Sequence, residues 1–128
     1  MPLSYFGLPG VDKEPVVEMR YWRLMEWSFP EEIKNGEVIT FIYGEEADFG
    51  LARRSTPIVS IEKHDGSDFE WAAITESGRK YVLSRAGEKG MGRDMNQMEC
   101  DLYDDAERNN IKLRMLSLKE WVDENLTS

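Results

Sequence analysis

The stretch TPIVSIEKHDGSDFEWAAITESGRKYVL, residues 56–83, decides how this chain is read. PIVSIEKH is rich in β-branched residues and ends at Asp65-Gly66, a tight-turn pair. DFEWAAITE follows, with Phe69, Trp71 and Ala73 alternating onto one face, and Ser77-Gly78 turns the chain into RKYVLSR. The reading is a three-stranded antiparallel meander. One apolar face of such a meander needs a cover, and Phe41, Ile58, Ile61, Trp71, Ile74, Tyr81 and Leu83 are expected in the core.

Upstream, Asn35-Gly36 is a turn signal and EVITFIY, rich in β-branched and aromatic residues, is a strand. VVEMRYWRLMEWSF (16–29) has alternating Val17, Met19, Tyr21, Met25 and Trp27 with Arg23 as the misfit, and its Tyr, Trp, Val and Phe favour a strand over a helix begun at Pro15. Residues 1–15 hold Pro2, Gly7, Pro9, Gly10 and Pro15, which breaks regular structure and gives an extended N-terminal arm. EEADFGLARRS (45–55) has no period and reads as a loop, whose acidic front and Arg53-Arg54 either pair with each other or face a ligand.

Downstream, AGEKGMG (86–92) reads as a flexible linker, not a phosphate loop, because neither the G-K-[ST] ending nor the G-x-G-x-x-G order is present. Met95, Met98, Leu102 and Ala106 recur at helical spacing, with Asn109-Asn110 as the stop. IKLRML alternates again, and Ser117-Leu118-Lys119-Glu120 is a capping box opening a helix through Trp121, Val122 and Leu126. The expected class is α+β: a mainly antiparallel sheet of about five strands with C-terminal helices, residues 16–128 forming a single domain behind the 1–15 arm. A chain of 128 residues fits one such domain.

Charge carries the functional signal. Twenty-five acidic residues against sixteen basic ones give −9, a surface that repels phosphate backbones and steers toward basic partners. The simplest alternative is that the charge confers solubility alone. The single Cys100 excludes an internal disulfide and a multi-cysteine zinc site, and suits a reducing compartment. MPLSYFGLPG lacks a basic n-region, and no stretch approaches the ~20 apolar residues of a membrane helix. The expectation is a cytoplasmic chain without cofactor or metal and without membrane contact.

His64, the one histidine, sits at a hairpin rim. Ser60, Asp65 and Ser67 are its neighbours in sequence, but they match no nucleophile–base–orienter arrangement. Cys100 lies between Glu99 and Asp101, which discourage a thiolate, so it reads as a partly buried structural residue. Asp101, Asp104 and Asp105 share a helix side without the register of a calcium loop. Binding is left, through the acidic residues Glu45, Glu46, Asp48, Asp101, Asp104 and Asp105, with Tyr5, Phe6, Tyr43, Phe49 and Tyr103 as aromatic candidates.

EVITFIYG, then STPIVSIE, then ITESGRKYVL resembles a pattern in small proteins of phages and prophages, over about residues 37–83. The resemblance implies no catalytic residues. It implies a context in which small acidic proteins inhibit host defence, anti-CRISPR proteins among them, by occluding nucleic-acid-binding surfaces. The expected function is therefore a non-enzymatic, phage-encoded inhibitor with a basic protein partner, no direct nucleic-acid contact, and a homodimer through the arm as an option. An immunity or regulatory protein paired with a toxin, and a small enzyme using His64, are the alternatives.

Overall fold

The computed structural model describes residues 16–47, 51–64, 69–85, 87–90 and 92–125. The N-terminal arm, Asp48, Phe49, the Asp65-Gly66 turn and Leu126 lie outside them. Among the described residues seven strands form one sheet: β1 (Val16–Ser28), β2 (Val38–Glu46), β3 (Ala52–Arg54), β4 (Ile58–Lys63), β5 (Phe69–Thr75), β6 (Lys80–Ser84) and β7 (Lys112–Leu116). The helices α1 (Arg93–Arg108) and α2 (Leu118–Asn125) follow the meander. The class is α+β, as read from the sequence, but the sheet is mixed and larger than about five strands.

β1 is the centre of the sheet. β2 runs antiparallel along one of its edges, while the opposite edge is divided between β6, parallel to residues 16–19, and β7, antiparallel to residues 24–28. The parallel pair makes the sheet mixed, while the other five pairings among the described residues are antiparallel. Local turn signals report hairpins, whereas a parallel neighbour arrives by a long connection that leaves no local mark.

A bulge explains the irregular pattern of β1. Met19 faces Glu46 and Tyr21 faces Glu45, so two steps on β1 oppose one on β2. Alternation changes phase there. Val17, Met19, Trp22 and Leu24 consequently share one face, and Tyr21, Met25 and Trp27 the other. Arg23 sits among the second set as a solved misfit: its guanidinium donates to Gly90 O at 2.8 Å. A second bulge, between Phe69 and Trp71, sets Phe69 against Ser84 and separates it from the Trp71–Ala73 face.

The sheet must curl. Its order is β3-β2-β1-β6-β5-β4, and five gaps of about 4.8 Å make a flat width of roughly 24 Å. The two edge strands are nevertheless joined from Arg54 to Ile58, a span of at most about 14 Å. Ser55 makes the corner, its N–H donating to Ile42 O (2.8 Å) and its Oγ accepting from Ile42 N–H (2.9 Å). Thr56 and Pro57 then bind the next turn through Ser77 N–H and Glu76 N–H. Inside the curl lie Val17, Met19, Leu24, Ile42, Ile61, Tyr81 and Leu83, and α2 covers them with Trp121, Leu118 and Val122. On the outer face, Met25, Trp27, Phe41 and Tyr43 pack beneath Met95, Leu102 and Ala106 of α1.

Phe41, Ile61, Tyr81 and Leu83 are buried as expected, while Ile58, Trp71 and Ile74 are only half-buried. Ala72 and Val82 are buried from the opposite side, so two faces of the meander are covered where the sequence suggested one. The segment read as a loop contains β3. The segment read as a linker is held against the sheet: a Cβ on Gly87 would lie 2.4 Å from Arg20 O, and Glu88 accepts Leu118 N–H at 2.7 Å.

Gly44 faces Trp22 beside the bulge, and a Cβ there would lie 2.0 Å from Tyr21 O. Gly44→Ala is expected to cost at least ~2 kcal/mol in a denaturant titration, since the atoms it would meet are main chain of Tyr21 and Trp22, which has no rotamer to give. The capping box forms as read: Ser117 N–H donates to Glu120 Oε1 (2.8 Å) and Glu120 N–H to Ser117 Oγ (3.0 Å). The bond from the Ser117 backbone, then that from its side chain, holds the Glu120 carboxyl below its usual pKa. Its stabilisation is thus complete above the ordinary glutamate pKa and is lost as pH falls through the depressed value. Glu120→Gln is expected to flatten part of the acid limb of a stability-versus-pH curve, and an unchanged limb would remove the cap from the account.

Candidate functional site

The six acidic residues singled out from the sequence separate into two kinds. Glu45 is buried, its carboxylate 3.6 Å from Arg20 Nη1 and seated where a Cβ on Gly92 would lie. Glu46 pairs with Arg53 at 3.0 Å, both side chains mostly covered. Both pairs join strands; the Glu46–Arg53 pair is the one the acidic-front-to-arginine alternative for residues 45–55 anticipated, whereas Glu45 finds Arg20 on β1. Asp48 lies outside the described residues.

Asp101, Asp104 and Asp105 are on α1. Asp101 and Asp104 are exposed, and Asp105 is half-buried and pairs with Arg108. Asp101 accepts from Gln97 Nε2 at 3.1 Å. Asp104 and Glu107 have no ion pair among the described residues. The helix carries Asp94, Glu99, Asp101, Asp104, Asp105 and Glu107, with Arg93 and Arg108 only at its ends. Tyr103, 44% exposed, flanks this face. Tyr43, also a candidate aromatic, is fully buried instead. Its hydroxyl donates to Glu99 Oε1 at 2.7 Å and ties α1 to the sheet.

The other candidates carry no assembled chemistry. His64 follows β4, its backbone N–H bonded to Glu70 O, and its side chain has no hydrogen-bond or ion-pair partner among the described residues. Cys100 is exposed, which corrects the buried structural reading: the core face of α1 runs through Met95, Leu102 and Ala106, and position 100 faces away from it. Among the described residues no three His, Cys, Asp or Glu converge as a metal site. No helix there is long and apolar enough to cross a membrane.

Two clefts escaped the sequence reading because they arise where β2 and β4 splay apart. The first, about 620 Å³, lies on the α1 side over Trp27, Phe29, Ile39 and Ile111. Arg54 lies over the Phe41 and Trp27 rings (4.3 and 4.8 Å to the centroids), and Lys34 lies over Phe29 (4.9 Å). Burial against those rings lowers the Arg54 pKa, and the nearby Asp105 charge opposes that shift. The second, about 290 Å³, opens on the inner side against Ile58, Leu116 and Trp121. Glu26, Glu37, Glu76 and Glu124 line it, and no Lys or Arg does. The sequence signal available for the first was Arg54 of the Arg53-Arg54 pair, and the second had none.

Comparison with protein-family models, with curated proteins and with solved structures gives no match for this chain.

Burial first, then the Glu99 hydrogen bond and charge, pushes the Tyr43 phenol well above the ordinary tyrosine range. The sign is that of an acid kept protonated: its contribution holds below the unfolded tyrosine pKa and is lost as pH rises. An alkaline titration followed at 295 nm is expected to show one tyrosine ionising only with unfolding, and Tyr43→Phe removes that step. A Tyr43 that titrates while α1 remains in place would contradict the tether.

Proposed function

We propose that this chain acts by binding a protein whose surface carries a Lys/Arg cluster, and that the outward face of α1 makes the contact. The observation that carries the reading is the run of acids along α1 with no cation between them. Several acids elsewhere meet the chain's own cations, Glu45 with Arg20, Glu46 with Arg53, Glu62 with Lys80, Glu70 with Arg85, and Glu26 and Glu124 with Arg114. Those with no ion pair among the described residues, such as Glu18 and Glu37, are not gathered on one helix face. Along the middle of α1 there is no cation on the helix itself.

Stability alone does not favour that arrangement. Like charges three and four residues apart repel along a helix. Acids in the C-terminal half also oppose the helix macrodipole. Solubility would be served equally by carboxylates at the other end. Asp101 and Asp104 supply the steering field, and Tyr103 beside them supplies an aromatic anchor of the kind enriched in interfaces.

A Lys/Arg cluster that holds phosphate is the surface such a face fits best. The proposed role is therefore inhibition of a bacterial nucleic-acid-binding or defence machine by occlusion, without catalysis. The phage-protein resemblance of residues 37–83 supports the same context.

The test begins with capture from a bacterial lysate at low salt, using the chain and its Asp101→Asn/Asp104→Asn/Glu107→Gln variant. The association rate of the captured protein is then measured for both. The variant is expected to slow association several-fold with little change in dissociation, and added salt to do the same to the unaltered chain. Its melting temperature should not fall, because repulsion has been removed. Equal association rates would overturn the acidic-face mechanism.

A further inference from the structure

The curl of the sheet does not close along its whole length. Phe29 N–H donates to Glu37 O (2.9 Å), which fixes the phase of the β1–β2 ladder. Residues 37, 39, 41 and 43 therefore exchange main-chain bonds with β1, and Val38, Thr40 and Ile42 turn theirs to the far edge. Ile42 spends both of its groups on Ser55. β2 pairs with β3 only over Tyr43–Glu45, so Val38 and Thr40 meet no strand on that edge among the described residues. Facing them, β4 pairs only with β5.

The separation has a local cause. Ser55 offers Ile42 N–H a hydroxyl in place of a carbonyl, and its own Oγ donates to Thr56 O at 2.7 Å. The chain thereby leaves β2 and joins β5. What remains is a wedge with two N–H and two C=O groups on one wall and a cleft on each sheet face. Val38 and Val59 stand at its sides, 55% and 63% exposed.

We propose that this wedge takes an extended basic segment of a partner protein, added as a strand along Val38–Thr40. Strand addition uses the free main-chain groups for affinity and alternate side chains for selectivity. Here alternate residues of an added strand fall into the two clefts. Those on the α1 side meet Ile39 with Trp27 and Phe29, whose rings already carry Arg54 and Lys34, and are apolar. Those on the inner side meet Glu26 and Glu124 together with Glu37 and Glu76, which line both clefts, and are Lys or Arg. Arg114 bridges Glu26 and Glu124, and Glu37 and Glu76 have no ion-pair partner among the described residues. The surface is separate from the α1 face and does not depend on the reading given for it.

The probe is a blocked Val-Lys-Val-Lys-Val-Lys-Val peptide, with an alternately N-methylated version and a Glu-for-Lys version, titrated into the full chain by calorimetry and amide NMR. The Lys peptide is expected to bind, to shift the Val38 and Thr40 amides and to protect them from exchange. N-methylation should weaken it at least tenfold, the Glu peptide should not bind, and Glu37→Gln/Glu76→Gln should weaken the Lys peptide several-fold. Asp101→Asn/Asp104→Asn should leave the binding unchanged, which separates this site from α1. Absence of binding, indifference to N-methylation or shifts confined to α1 would each overturn the proposal. So would Val38 and Thr40 amides already protected in the free protein, sedimentation then telling a second copy from the chain itself as the occupant.

Discussion

A thirteen-residue strand bonded on both edges, and covered on both faces from Tyr21 onward, is the constraint on which the molecule rests. β1 gives Leu24 and Met19 to the inner core and Met25 and Trp27 to the outer one. Such a strand needs side chains of opposite phase in its two halves, and the bulge at residues 19–21 provides this with one extra residue. The same bulge ends the β1–β6 pairing at Met19–Leu83, and Ser84 Oγ then binds Arg20 O at 2.6 Å. The freed stretch of edge is occupied by the Gly87–Gly90 segment, close enough that side chains at those glycines would collide with Arg20 and Tyr21. β7 resumes the pairing at Leu24.

The local elements were legible because their signals are local. The meander, the Asn35-Gly36 turn with its positive φ values, α1 and the capping box of α2 rest on residues within a few positions of one another. The parallel pairing of Val16–Met19 with Lys80–Leu83 was not legible, nor was β3, a three-residue strand without alternation. Trp71 reads as a core residue by type, yet α2 covers only part of it and the more deeply buried neighbour is Ala72. Burial there follows from which layer sits above, and no property of residues 69–75 reports that.

Counting carboxylates picked out both acidic clusters, but it treated 45–48 and 101–105 as equivalent. Only the fold shows Arg20 and Arg53 arriving at Glu45 and Glu46 from other strands, while the middle of α1 keeps its charge uncompensated on its own helix. The wedge beside β2 depends on which main-chain groups point outward, a quantity that side-chain patterns do not encode.

The pairing of β1 also sets the tempo at which the chain folds. Val17 reaches Tyr81 and Met25 reaches Met115, so the central ladder joins segments from opposite ends of the sequence. Loop closure must precede any gain from such contacts, and a topology of this contact order folds more slowly than a helical bundle of equal length. The β5–β6 hairpin and α1 form on their own timescales and wait for it. During that interval the longest strand of the protein, Val16–Ser28, has neither edge nor face covered, which is the kind of exposure that favours association between nascent chains.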